Sequence, residues 1–269
     1  AGQEVGRSCV VMHIGGHYIM FDCGMHLGFK DARRFPDFTL LPFHERMTEM
    51  ITAVVITHFH LDHCAALPYF TEVHGYSGPI YMTYPTKAIM PIMLDDYLKV
   101  MTDRQGDRQW YTRQHIAACM GKVVGVDLGQ VVQVAPGVQL RALYAGHVLG
   151  AAMFHMRVGD RTVLYTGDYN TAPDRHLGAA QLARLRPDVL VSESTYATTL
   201  RDSKAGRERD LITEVVRVVS AGGKVLVPVN AVGRAQELLV LVGEAWARLG
   251  LRGRVPLYFS GGMAARAAM

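Results

Sequence analysis

Thr52-Ala53-Val54-Val55-Ile56-Thr57-His58-Phe59-His60-Leu61-Asp62-His63 is the stretch on which the reading of this 269-residue chain turns. Its first half is β-branched and apolar, the composition of a buried strand, and its second half puts three histidines and an aspartate into six residues. Independent placement would give that frame roughly once per thousand chains of this composition. A hydrogen-bonded or pH-titrating histidine cluster is the plain alternative. Imidazoles this crowded repel one another when protonated, however, and a cation that holds them neutral resolves the conflict.

Residues two apart at the mouth of a strand can aim His58 and His60 at one point, while Asp62 and His63 turn to a second point as the chain enters a helix. The apolar side of that helix is Ala65, Ala66, Leu67 and Phe70. This is a two-metal pattern, with centres ~3.5–4 Å apart sharing one oxygen species. Nitrogen and carboxylate donors without thiolate suit Zn²⁺ best, with Mn²⁺ or iron as alternatives.

Upstream, the chain reads as a hairpin: a strand from Cys9 to Ile14, a Gly15-Gly16 turn, and a strand from Tyr18 to Phe21 that ends at Asp22-Cys23-Gly24. Downstream, a helix is predicted over Thr86 to Met101, followed by short strands that include Val138 to Leu143, Ala152 to Val158 and Thr162 to Tyr165. His147 in Gly146-His147-Val148-Leu149-Gly150 and Asp168 in Thr166-Gly167-Asp168-Tyr169 are metal-capable side chains at glycine turns beside those strands. Past Val189 to Ser192 the pattern becomes helix Arg207 to Ser220, strand Val225 to Val229, helix Arg234 to Leu249 and strand Val255 to Phe259, a βαβαβ rhythm with parallel strands. A domain boundary is placed near Ser194.

Composition narrows the class. With 49% hydrophobic and 19% charged residues, Gly 27 and Pro 11, the chain is neither disordered nor collagen-like, it shows no solenoid repeat, and no apolar run approaches the ~18 residues of a membrane span. A formal charge of +4 permits a polyanionic partner without demanding one. Four scattered cysteines with no C-x-x-C pair favour a soluble protein of a reducing compartment. The chain opens at Ala1 with neither an initiator Met nor a leader, which reads as a trimmed piece without a secretory signal.

Asp22, the His58–His63 cluster, His147, Asp168 and Glu193 occur in an order and setting similar to those of the metallo-β-lactamase fold and its nucleic-acid-processing branch, the β-CASP nucleases. Arg33-Arg34-Phe35-Pro36-Asp37-Phe38, Gly146 to Phe154, Thr171 to Gly178 and Glu193 to Lys204 resemble the Integrator-type endonucleases of that branch more than the cleavage-and-polyadenylation type. The resemblance covers nearly the whole chain. It implies an α/β fold: a metallo-β-lactamase αββα sandwich over residues 1–194, its first strand missing, followed by the start of a β-CASP α/β domain over residues 195–269.

The resemblance further implies two Zn²⁺, one held by His58, His60 and His147 and the other by Asp62 and His63, with Asp168 bridging. Asp22 would orient a ligand imidazole, and Glu193 would partner a general-acid histidine. The implied activity is hydrolysis of phosphodiester bonds in nascent RNA such as small nuclear RNA precursors. Implied partners are RNA and other Integrator subunits, including a catalytically inactive paralogue, with no membrane. The implied location is nuclear, a cytoplasmic pool being left open. The family places its general acid and the last ligand of the second zinc beyond Met269, so the chain reads as catalytically incomplete. Ala65 replaces a usual Gly, and Asn230-Ala231-Val232 a usual Phe-Ala-Leu.

Three rival readings stand: the cleavage-and-polyadenylation endonuclease, a small-molecule thioester or lactam hydrolase on the same scaffold, and an inactive interaction platform. For RNA contact, the candidates are Arg33-Arg34, the Arg201 to Arg209 stretch and Gly233-Arg234 at a helix start.

Overall fold

The computed structural model describes residues 4–103, 109–182, 185–200 and 202–259. Strands β1 (Val10–Ile14) and β2 (His17–Phe21) are antiparallel across a two-residue turn. Gly15 and Gly16 sit there at φ of 58° and 81°, the left-handed conformation that such a turn needs at both positions. β3 (Ile51–Val55), preceded by the short helix α1 (Met47–Met50), pairs in parallel with β2. β4 (Ile80–Thr83) and β5 (Val123–Val126) extend the sheet in the order β1-β2-β3-β4-β5.

Parallel neighbours require long crossovers, and helices supply them. The helices α2 (Leu61–Cys64) and α3 (Leu67–Glu72) lie between β3 and β4, and α4 (Tyr84–Asp103) and α5 (Arg113–Gly121) between β4 and β5. The second sheet runs β10-β9-β8-β7-β6. Strands β6 (Val131–Ala135), β7 (Val138–Tyr144), β8 (Ala152–Val158) and β9 (Arg161–Tyr165) form an antiparallel meander, and β10 (Val189–Val191) adds in parallel to β9.

Alternation along the strands decides what each face buries. Ile19, Phe21, Ala53, Val55 and Tyr81 of the first sheet meet Val138, Leu140, Ala142, Phe154, Met156, Val163 and Tyr165 of the second in one apolar layer. Phe21 and Phe154 are fully buried there, each stabilising by about 1.5–3 kcal/mol relative to exposure. The opposite residues of the first sheet, Met20, Val54, Ile80 and Met82, are also fully buried, as are Leu67, Phe70, Met90 and Leu94 of the helices. Among the described residues from Val123 to Thr195 there is no helix.

The chain divides into two compact units, one of Ala1–Pro173 with Ala179–Thr195, the other of Asp174–Gly178 with Tyr196–Met269. In the second, helices α6 (Lys204–Ser220) and α7 (Arg234–Arg248) share a small core of Ile212, Val215, Leu241, Ala245 and Trp246. Asp174–Gly178 is fastened to them by charge. Glu237 of α7 accepts from the Arg175 amide at 2.7 Å and lies 2.9 Å from His176 Nδ1 and 3.0 Å from Lys204 Nζ. Lys204 Nζ also donates to Asp174 at 2.9 Å.

Here the predicted βαβαβ rhythm is corrected. Val225 to Val229 and Val255 to Phe259 join no ladder among the described residues, and Leu226 is 91% exposed. A strand needs a neighbour for its backbone groups, and a continuous apolar run cannot supply one. No helix of the described residues is long and apolar enough to cross a membrane. All four cysteines are free, and burial pushes the Cys9 and Cys119 thiols up to about 12.

Candidate metal centre

Every site residue named above follows the end of a strand. Asp22 follows β2, the His58–His63 run follows β3, His147 follows β7, Asp168 follows β9 and Glu193 follows β10. The parallel ladders of β2 with β3 and of β9 with β10 bring their carboxyl ends out together in each sheet, so these loops converge.

His58 is fully buried, and its Nε2 lies 3.0 Å from His60 Nδ1, which in turn lies 3.2 Å from His147 Nε2. Asp168 Oδ2 completes the group at 3.6 Å from His147 Nε2 and 4.0 Å from His58 Nε2. One donor atom from each of these four residues lies within 4.8 Å of all the others. Asp168 turns its other oxygen away: Oδ1 is 3.4 Å from His63 Nε2, which is itself 3.6 Å from Asp62 Oδ2. The six side chains thus form two adjoining groups that share one carboxylate.

Protons alone do not satisfy this arrangement. His60 Nδ1 faces two ring nitrogens at hydrogen-bond distance, and a neutral imidazole nitrogen either donates once or accepts. A cation at the point where three nitrogens and a carboxylate oxygen meet satisfies all four, so the donor set fits a metal ion. Burial, then the neighbouring His63, His60 and His147, push His58 well below the usual imidazole range, toward the neutral form that ligates. Burial raises the Asp62 carboxyl. For Asp168 burial acts in the same sense but is outweighed by the hydrogen bond and charge of His63, helped by His147 and His60, so its carboxyl is lowered. For His63 burial is outweighed by Asp22 and Asp168, which hold its pKa well above the usual value.

The supporting layer is equally specific. Asp22, fully buried and at φ 58°, lies 2.8 Å from His63 Nδ1 and accepts from the Thr57 amide at 2.8 Å and the Tyr165 hydroxyl at 3.1 Å. Glu193 grips the Asp168 loop, its Oε1 accepting from the Tyr169 amide at 3.1 Å while its own amide donates to Thr166 Oγ1 at 3.3 Å. Thr57 and Tyr165 went unremarked in the sequence. Their only signals were position, Thr57 directly before His58 and Tyr165 at the inward-facing end of its strand.

The candidate RNA contacts fare differently. Arg34 is 2% exposed, its guanidinium donating to the Phe29 carbonyl and, at 3.0 Å, to the Tyr97 hydroxyl, so it braces the loop. Arg33 is exposed and paired with Asp31. Arg201 lies outside the described residues, and Arg234 at the start of α7 lies 3.4 Å from Asp174.

Fold and donor set together define a class, and the chain belongs to it: the metallo-β-lactamase superfamily, whose family model matches residues 2–228. Within that class it is 57% identical over 267 residues to Integrator complex subunit 11 of Danio rerio, covering 99% of this chain and 44% of that protein. It is 54% identical over 269 residues to cleavage and polyadenylation specificity factor subunit 3-II of Arabidopsis thaliana, 100% of this chain and 44% of that one. To cleavage and polyadenylation specificity factor 73 of Drosophila melanogaster it is 40% identical over 264 residues, 98% of this chain and 38% of that one. The chain therefore spans less than half the length of these curated relatives.

Proposed function

We propose that this chain is part of a zinc-dependent RNA endonuclease of Integrator type, acting on phosphodiester bonds of nascent RNA such as small nuclear RNA precursors. The observation that carries the reading is the division of the Asp168 carboxylate, Oδ2 toward His147 and Oδ1 toward His63. A carboxylate placed between two donor groups suits a pair of Zn²⁺ ions close together. The Integrator assignment rests on the segments whose resemblance is given above and on 57% identity to a subunit 11, beside 54% to a cleavage and polyadenylation specificity factor subunit 3-II and 40% to a factor 73. It carries with it a nuclear location and, as partners, RNA and other Integrator subunits, including an inactive paralogue. In this reading residues 1–194 are the metallo-β-lactamase domain and residues 195–269 begin a β-CASP domain.

His58, His60, His147 and one oxygen of Asp168 would hold the first zinc, and Asp62, His63 and the other oxygen the second. Zinc held there would lower the pKa of a bound water toward neutrality and would offset charge on a phosphate oxygen. The protein's own part is to keep His58 neutral and to hold the ring nitrogens oriented. Asp22 fixes the His63 ring through Nδ1. Glu193 anchors the loop that presents Asp168, and in this reading it would orient a general-acid histidine supplied by a longer chain.

The test is single-turnover cleavage of a labelled RNA by this chain and by a chain of the relatives' full length, each with Asp168→Ala and Glu193→Ala controls. The longer chain is expected to cleave in an Asp168-dependent way and the 269-residue chain to cleave poorly. A longer chain that hydrolyses a thioester and spares RNA would transfer the assignment to a small-molecule hydrolase.

A further inference from the structure

Thr57 has no part in holding metal, yet it is 1% exposed and stands between Asp22 and His58. Its Oγ1 lies 3.0 Å from each oxygen of Asp22 and 3.0 Å from His58 Nδ1. A hydroxyl has one proton to give and lone pairs to accept with. Asp22 also receives the Thr57 amide and the Tyr165 hydroxyl and contacts His63 Nδ1. A carboxylate so surrounded is an acceptor, and the Thr57 proton goes to it. The hydroxyl oxygen then accepts from His58, whose ring proton must sit on Nδ1. In a neutral imidazole this leaves Nε2 as the bare lone pair, and Nε2 is the atom that faces His60 and Asp168.

On the other side of the same carboxylate, His63 gives its Nδ1 proton to Asp22 directly, so that Nε2 is the atom turned to Asp62 and Asp168. The Thr57 side chain is wedged in place. A Cβ built on Gly167, next to Asp168, would fall 2.6 Å from Thr57 Cβ and 2.7 Å from its Oγ1, so only glycine leaves room for it.

We propose that Thr57 is a positioning residue that relays Asp22 to His58, so that one buried carboxylate fixes which ring nitrogen faces the donor cluster in both halves of the centre, directly at His63 and through a hydroxyl that sets the tautomer at His58. The part that concerns two halves rests on the two-metal reading. The relay itself does not, because it is a property of the metal-free chain.

The experiment has two arms. Nitrogen-15 spectra of the histidine-labelled, metal-free chain near neutral pH should show His58 as the Nδ1–H tautomer, and Thr57→Val should abolish that preference. Chelator competition with Zn²⁺ or Co²⁺ should then show the first site weakened about 10–100-fold in Thr57→Val, the usual cost of losing a ligand's hydrogen-bond partner, and largely rescued in Thr57→Ser. An Nε2–H His58 in the wild-type chain, or a Thr57→Ser no better than Thr57→Val, overturns the relay. A chain of the relatives' full length that takes up a single metal ion overturns the two-metal reading instead, and the tautomer spectrum still decides the relay. Should Thr57→Val fail to fold, the wild-type spectrum and the serine variant carry the decision.

Discussion

Gly24 lies directly under the backbone of Asp62: a Cβ built on it would sit 1.6 Å from the Asp62 carbonyl oxygen. The contact belongs to a cross-brace in which the Cys23 amide donates to the His63 carbonyl at 2.8 Å and the Met25 amide to the Leu61 carbonyl at 3.0 Å. The segment after β2 thus fixes the turn that carries Asp62 and His63. A clash with backbone has no rotamer to relieve it. Gly24→Ala is expected to destabilise the chain by about 3 kcal/mol or more and to deplete bound metal, read by thermal unfolding and elemental analysis.

The shared carboxylate predicts unequal consequences. Asp168→Ala should lower metal binding at both sites, whereas Asp62→Ala or His63→Ala should weaken the second and leave the first, built on His58, His60 and His147, largely intact. Titration with Zn²⁺ monitored by calorimetry separates the two patterns. Equal loss at both sites in Asp62→Ala would show that the groups are not distinct.

Arg33 and Arg34 should part company. Arg34→Met strips donors from the Phe29 carbonyl and the Tyr97 hydroxyl inside the protein, and is expected to cost about 1–3 kcal/mol in denaturant unfolding. Arg33→Ala should change stability by no more than about 0.5 kcal/mol, as is usual for an exposed ion pair. If Arg33 meets a phosphate, its removal should reduce the salt dependence of RNA binding by about one unit of slope.

Acid should loosen the second unit in a defined window. Burial works against the charge on Glu237, but His176, Lys204 and the Arg175 amide together hold its carboxyl down to about 2, from a reference of 4.5. The folded value lies below the unfolded one, so the stabilisation is complete above about pH 4.5 and is lost as pH falls toward about 2. Unfolding midpoints of the wild-type chain should drop through that window. Glu237→Gln should start lower at neutral pH and show a flatter decline.

The cluster of metal-capable side chains was legible because its signal is local. His58 to His63 is one contiguous run placed where a β-branched stretch ends, and His147 and Asp168 each sit at a glycine turn beside a strand. The supporting layer was not legible. Tyr165 reaches Asp22 across 143 residues of sequence, and nothing in its own neighbourhood announces that contact. Arg33 and Arg34 are chemically identical neighbours, and only packing makes one a surface cation and the other a brace. The failed strands at Val225 to Val229 and Val255 to Phe259 show the same limit, since pairing is a property of two segments and the pattern belongs to one.

Asp174–Gly178 belongs to one unit while the residues on either side of it belong to the other, so the polypeptide passes between the units three times. No single cut can therefore release the second unit. A protease nick between Thr195 and Ser203 would leave Asp174 and Arg175 still tied by peptide bonds to the first unit and by Lys204, Glu208 and Glu237 to the helices of the second. Such a nicked chain should migrate as one species in native conditions and fall into two only in denaturant. An expression boundary drawn at the same point would strip that loop of every one of these charged partners.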